Sequence, residues 1–504
     1  MGAADRRENR RFDHRTSRAL AAGALALCCA MLAPPAQALT SCASPDNLCR
    51  GNPCVTGQLE VVTPCVVDFG DRTLIIHGTL KVPNNGVLSL KAGNIDVRRA
   101  IVGRHARRYE SGGADITLTA TRDLTARWRI DASGRTKPGK INLLAGGNVS
   151  LLGPVRAATS GPDPTASGGS VTVSAGGFIT AVKRARIRVR GAGTPGGEVA
   201  LHSGRGVRLL NRITAAGSSG GRIAVSTDSG DITLNEALDI GGASEDGGSA
   251  TLVAAAGQLT LFDRIDAEGI ERGGSVVLLA GGPITALGAL RAGSSILGGQ
   301  GGTVVVSSDG DILVSDVIKA DGRSGGQVVV VSNSATIRVT APVVASGGHA
   351  GGGGRVAFSA GKDVVIANQV DADGGPLGGT ITVHAEDLIT LTPQGALLAR
   401  GDTGGEIALD GAMVSVPAGA RVLVDGDTPG GTITLAANDG DLILDGDFRA
   451  RGRTGGRIEG MASGDVVAGG EFAARGDGCI SLSAGSSLDI SGGTFDVPLA
   501  DSCP

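Results

Sequence analysis

From about Val66 onward, apolar and polar residues alternate in short runs, each closed by Gly, Asp, Asn or Ser. Gly301 to Gly326 is one such unit, GGTVVVSSDGDILVSDVIKADGRSGG. Its apolar pairs Val304/Val306, Ile312/Val314 and Ile318/Ala320 stand two apart, the period of a strand with one buried face, and no stripe at i, i+3, i+4 competes. The unit recurs. Its marker glycine, the second of a doublet where one exists, falls at 113, 139, 169, 197, 221, 248, 274, 302, 326, 354, 379, 405, 431 and 456, which is 343 residues over 13 intervals and a period of about 26. Two and four residues past the marker the side chains are apolar with few exceptions, as in Val171/Val173, Ile223/Val225 and Val328/Val330. An Ile-x-Ala-x-Gly signature follows later in the unit, as in Ile130/Ala132/Gly134, Ile265/Ala267/Gly269 and, with Val for Ile, Val370/Ala372/Gly374.

Three strands per unit, with alternate residues pointing inward, close a coil whose apolar side chains stack on those of the next coil. The expected fold is therefore all-β, a single-stranded parallel β-helix. About fifteen coils spaced by about 4.8 Å make a rod on the order of 70 Å long. Gly-Asp pairs such as Gly230-Asp231, Gly310-Asp311 and Gly440-Asp441 are expected to supply a positive φ and a side-chain cap at the turns.

Composition supports a solenoid. Glycine accounts for 85 of 504 residues, with one Trp, one Tyr and eight Phe, too few aromatics for a broad globular core. The glycines lack the strict third-position spacing of collagen, and the 41% hydrophobic content argues against disorder. Residues 1–38 read as an export signal: six arginines from Arg6 to Arg18, an apolar run from Ala19 to Ala33, Pro34-Pro35, and an Ala36-Gln37-Ala38 cleavage site. Leu39-Thr40-Ser41-Cys42 resembles a lipobox, but PPAQA separates it from the apolar run, so soluble export is the expectation, to the periplasm, cell surface or medium, with no transmembrane segment in the mature chain. Six cysteines then remain, an even set that reads as disulfides in an exported chain. Cys42, Cys49, Cys54 and Cys65 form two bridges by one of three connectivities, and Cys479 pairs with Cys503. Zinc is not expected, because the first four are not spaced as paired CxxC motifs. The resulting divisions are a signal at 1–38, a disulfide-rich lead-in and cap at 39–65, the helix at 66–478 and a disulfide-bearing cap at 479–504.

Units such as GGSVTVSAGGFITAVKRARIRVRGAG and GGRIAVSTDSGDITLNEALDIGG resemble the repeats of filamentous-haemagglutinin-like surface proteins over roughly residues 66–490. That resemblance implies a right-handed parallel β-helix and a secreted or surface-exposed adhesive role.

Charge adds what the repeat does not show. Residues 39–215 carry 24 Lys and Arg against 11 Asp and Glu, net +13, whereas residues 216–504 carry 16 against 35, net −19. A near-neutral total thus hides a dipolar rod. Arg184, Arg186, Arg188 and Arg190 alternate and would share one face of a strand. With Arg104, Arg107 and Arg108 in an arginine-rich loop bulging from the coil, and with Trp128 near that loop, they are the candidate binding residues for an anionic polysaccharide, lipopolysaccharide or phospholipid headgroups. Nucleic acid is not expected, since stacking aromatics are scarce.

Carboxylates recur on the third strand at Asp131, Asp239, Asp266, Glu268, Asp321, Asp371 and Asp373. Adjacent coils would bring Asp239 near Asp266, as a calcium site or an acid/base pair, but Arg291 and Lys319 interrupt the column, so turns and a solvated face are the expectation. Neither a metal nor a cofactor is expected. The alternative function is a polysaccharide lyase or hydrolase with its site near residues 98–130, where Asp123, Arg127, Trp128 and Arg129 would line a cleft. Trp128 also reads as a packing anchor beneath the arginine-rich loop. Thr117/Thr119 and Thr432/Thr434 suggest an ice-binding ladder that does not persist from coil to coil. The leading expectation is a non-catalytic exported rod with a structural or adhesive role.

Overall fold

The computed structural model describes residues 39–103, 112–159, 166–191, 195–294 and 299–503. Its strands fall into three sheets of 17, 18 and 19 strands, and every pairing is parallel between successive coils. The first sheet carries the longest strands, mostly six residues, as in Asp115–Ala120 and Thr303–Ser308. The second carries mostly three or four, as in Leu124–Ala126, and the third two or three, as in Ile130–Asp131. One column of the first sheet runs from Leu88 through Ile116 and Val304 to Ile480, covering 392 residues in fifteen steps, about 26 per coil. The protein is a parallel β-solenoid.

Alternation sets the core. In one coil Ile116, Leu118, Ala120, Leu124, Ala126, Ile130 and Ala132 are all buried, and their in-register neighbours above and below are buried too. Each coil therefore covers the apolar face of the next. Phe448, Phe472 and Phe495 stack inside the third sheet at 4.8 and 5.0 Å between ring centroids, a spacing that matches the coil repeat.

The two sequence signatures build one corner. The alanine of Ile-x-Ala-x-Gly accepts a hydrogen bond from the marker glycine later in the chain: Gly274 to Ala267 at 2.9 Å, Gly326 to Ala320 at 2.8 Å and Gly379 to Ala372 at 2.8 Å. This closes the tight turn from the third sheet to the first. The preceding coil's doublet lies against it, so closely that a Cβ on Gly353 would stand 1.9 Å from the Ala372 carbonyl oxygen. The doublet is selected by backbone approach: Gly274, Gly326, Gly353 and Gly379 are not in the left-handed region, although Gly455 of a later doublet is, at φ +77°.

The Gly-Asp pairs act differently from expectation. Gly230, Gly310 and Gly440 do not adopt a positive φ. A Cβ on Gly230 would meet the Arg205 carbonyl oxygen at 1.1 Å, so the constraint is again space. The aspartates cap the next coil. Asp123 Oδ1 accepts from the Asn148 amide at 2.7 Å, Asp231 from Gln258 at 2.9 Å, Asp311 from Thr336 at 3.1 Å and Asp441 from Asp465 at 2.8 Å. They satisfy corner amides that the strand ladders leave behind.

Coil-to-coil pairing extends past the expected limits of 66 and 478. Cys54–Thr56 pairs with Thr73–Ile76, and Leu59–Val61 pairs with Leu80–Lys81. The disulfide-rich lead-in thus already contains strands, too short and interrupted to stand out as a periodic run. The bridges are Cys42–Cys65 and Cys49–Cys54, which resolves the three connectivities, and Cys479–Cys503. At the far end Cys479–Ala484 is a regular first-sheet strand, and Leu499 bridges to Ile480 as the chain returns across it. That return covers part of an open sheet edge.

Neighbouring glycines offer a test. Gly353→Ala should destabilise the rod by about 1–3 kcal/mol through overpacking. Gly352→Ala, whose Cβ would find its nearest atom at 3.7 Å, should stay within about 0.5 kcal/mol. Denaturant titration of the two variants measures the difference.

Candidate functional site

Strand alternation delivers the arginines outward. Ala185, Ile187 and Val189 are buried, while Arg184, Arg186, Arg188 and Arg190 are exposed. The strand itself is short, Ile187–Arg188, so Arg184 lies in the preceding turn and Arg186 and Arg190 flank the paired segment. Arg156 stands in register with Arg188 on the coil below. Arg186 and Arg212 each directly precede the paired Ile187 and Ile213. Cations thus recur on adjacent coils at about 4.8 Å spacing, a costly stacking of like charge.

None of these cations is held in an ion pair. Among the described residues, no Lys or Arg from Lys140 to Arg222 joins an ion pair. Toward the C-terminus several cations of the same face are paired. Lys319 pairs with Glu268 and Asp321 at 3.4 Å each, Arg400 grips Asp373 at 2.5 and 3.0 Å, and Arg449 and Arg451 share Glu471 at 4.0 and 3.1 Å. That pairing holds the Arg400 guanidinium above its ordinary range, the hydrogen bond to Asp373 being the largest cause. Arg104, Arg107 and Arg108 lie outside the described residues.

The carboxylate column is real but divided. Asp239 is in register with Asp266 across one coil step, and Asp266 with Arg291. With Arg190, Thr214 and Glu268 they line a shallow depression of about 340 Å3. Burial raises the Asp239 pKa above the ordinary 3.8, Asp266 raises it further, and Arg212 and Arg190 oppose the shift. The depression thus marks the boundary between the unpaired cations and the acidic half. Among the described residues no group of three or more His, Cys, Asp or Glu is placed to hold a metal ion.

The residues expected to line an enzymatic cleft near 98–130 are committed elsewhere. Asp123 caps Asn148. Asp96 accepts from both Arg98 and Arg127 at 2.8 Å, and Arg129 lies 3.8 Å from Asp131. Trp128 is not a buried anchor. It is 54% exposed, with the Arg99 guanidinium 6.0 Å from its ring centre. Arg98 and Arg99 sit at the corner after the second-sheet strand Asn94–Val97, both amides bonded to the Ile76 carbonyl.

Two features escaped sequence reasoning. Leu152, Val182, Leu210, Phe262 and Leu287 occupy one corner position on successive coils, interrupted by Asn235, each amide bonded to the coil below. Phe262 is 49% exposed and Leu287 39%, so an apolar ridge borders the arginine-bearing face. The glycine doublets also leave a lengthwise trough of about 940 Å3 between Lys137 and Ser275, floored by backbone and rimmed by Lys140, Glu198, Arg222 and Asp246. The marker spacing signals the trough only once the corner geometry is known.

The fold and the charged face define a parallel β-solenoid with a cationic side. Comparison with protein-family models, with curated proteins and with solved structures returns no match. No helix among the described residues is long and apolar enough to cross a membrane.

The raised Asp239 pKa predicts a pH effect of definite sign. The folded state holds this proton more tightly than the unfolded chain does, so the ionised, buried carboxylate destabilises the fold at neutral pH. That penalty is relieved as pH falls through the folded pKa and vanishes below the unfolded value of 3.8. Asp239→Asn should raise the melting temperature at pH 7, and the gain should fade as the pH approaches 3.8.

Proposed function

We propose that this protein is an exported, non-catalytic β-solenoid rod that docks on polyanionic components of a cell surface through the arginines of its third sheet. A structural or adhesive role follows, as the resemblance to filamentous-haemagglutinin-like repeats implies. The supporting observation is the stack itself: Arg156, Arg186, Arg188 and Arg212 recur on adjacent coils without an ion pair, whereas farther along the same face Lys319, Arg400, Arg449 and Arg451 are set against carboxylates. A polyanion laid along the rod would meet one or more cations per coil and relieve their mutual repulsion. Disulfides in place of free thiols agree with an oxidising compartment.

Among anionic partners, the half-buried corner residues Val182 and Leu210 on the arginine-bearing coils, continued by the exposed Phe262 and Leu287 two and three coils farther on, favour one with an apolar layer under its charges, such as lipopolysaccharide or an anionic bilayer. The carbohydrate-active reading lacks comparable support, because Asp123 is spent on a backbone cap.

Binding to lipopolysaccharide or an acidic polysaccharide tests the proposal. Replacing Arg186, Arg188 and Arg190 with Ser should weaken association on the order of 100-fold, at about 1 kcal/mol per cation near an anionic surface. Replacing Arg449 and Arg451 with Gln should change it little. Association should also decline steeply between 0.1 M and 1 M salt, as the Debye length shrinks from about 10 Å to about 3 Å. Salt-insensitive binding, or equal loss from both variants, would refute the proposal.

A further inference from the structure

On the outer face of the first sheet, the central of three outward columns avoids charge. It runs from Ser89 through Thr251, Val277, Val305 and Val329 to Thr434, in register across fourteen strands without one ionisable side chain. Every residue of that column is partly exposed. Charges such as Lys140, Glu198, Arg222 and Asp410 stand only at the margins of the face. The third sheet, built from the same repeat, is charged on nearly every coil, so the coil does not itself demand neutrality.

Apolar residues concentrate at one level. Val253, Val277, Leu279, Val305, Val329 and Val331 lie on four adjacent strands between Ser249 and Ser332, the eighth to eleventh of seventeen. The patch is therefore close to the middle of the sheet. A surface whose apolar centre coincides with its midpoint is self-complementary under a two-fold rotation, as an isologous contact requires.

We infer that the first sheet is the interface of an antiparallel, side-by-side dimer of this chain. Three observations specify a second copy as occupant. Six-residue strands are about 17 Å wide, and fourteen of them at about 4.8 Å spacing extend about 62 Å, which gives about 1,000 Å2 per partner. A standard interface needs about 800 Å2 per partner. Small and β-branched residues make the face flat enough for sheet-on-sheet packing at about 10 Å. Antiparallel alignment, finally, sets the net +13 half of one rod beside the net −19 half of the other, whereas parallel alignment opposes like halves. The arginine face of the third sheet remains free on both copies.

Light scattering and small-angle X-ray scattering on the purified chain test this. Mass should double with concentration in the micromolar range, with the maximum dimension close to that of one rod and the mass per unit length doubled. Val277→Thr, Val305→Thr and Val329→Thr together keep β-branched shape and should weaken the dimer at least tenfold without changing the melting transition by more than a few degrees. The Arg186, Arg188 and Arg190 variant should dimerise normally, which separates this inference from polyanion binding. Zero-length cross-linking should join Lys140 of one copy to carboxylates near the opposite end of the second, such as Glu459. A chain monomeric at all concentrations, a doubled maximum dimension, cross-links between like halves, or a threonine variant as dimeric as the parent would each overturn the inference.

Discussion

The stacking of one coil's backbone on the next at strand spacing governs everything else in this protein. Once neighbouring coils must stay in register through three sheets, each corner has to bring two backbones together without side chains between them. The glycine doublet answers that demand at the corner between the third and first sheets, where a Cβ on Gly247, Gly301 or Gly353 would fall within about 2 Å of the next coil's alanine carbonyl. The same register turns any choice of outward residue into a column. Arg156 therefore stands over Arg188, and Asp239 over Asp266, whether or not that juxtaposition is favourable.

Function can then be read as the treatment of those columns. A scaffold under selection for stability alone would neutralise stacked charge, and the acidic half does so with Lys319, Arg400 and Arg451 set against carboxylates. Between Arg156 and Arg212 the cations stay stacked and outside ion pairs, at a cost that a bound polyanion would offset. The first sheet takes a third course and omits charge from its centre. One repeat thus supports three surfaces of different chemistry, because corner glycines and inward apolar residues satisfy the fold without constraining the outward positions.

Much of the architecture was legible from periodicity, since an apolar period of two and a marker period of 26 leave few alternatives to a stack of three-stranded coils. The outward alternation of Arg186, Arg188 and Arg190 was legible for the same reason. What escaped depended on register between residues far apart in sequence. That Asp123 caps Asn148, and that Asp96 holds both Arg98 and Arg127, follows only when coils are aligned to the residue. Variable corner lengths hide this alignment: the step from Ile141 to Val171 takes 30 residues and that from Ile458 to Ile480 takes 22. The first coil was missed because Cys54–Thr56 and Leu59–Val61 are too short to display a period. The Gly-Asp pairs were read as turn chemistry because sequence alone does not separate a glycine needed for its φ from one needed for its size.

The division between paired and unpaired cations is the claim on which the functional account rests, and arginine-selective modification by a dicarbonyl reagent, followed by mass spectrometry, measures it residue by residue. Arg184, Arg186, Arg188 and Arg190 should react quickly in the free protein and be shielded when a polyanion is added. Arg400, Arg449 and Arg451 should react slowly in both states. Equal reactivity across the two groups, or shielding that spares residues 184–190, would contradict the account.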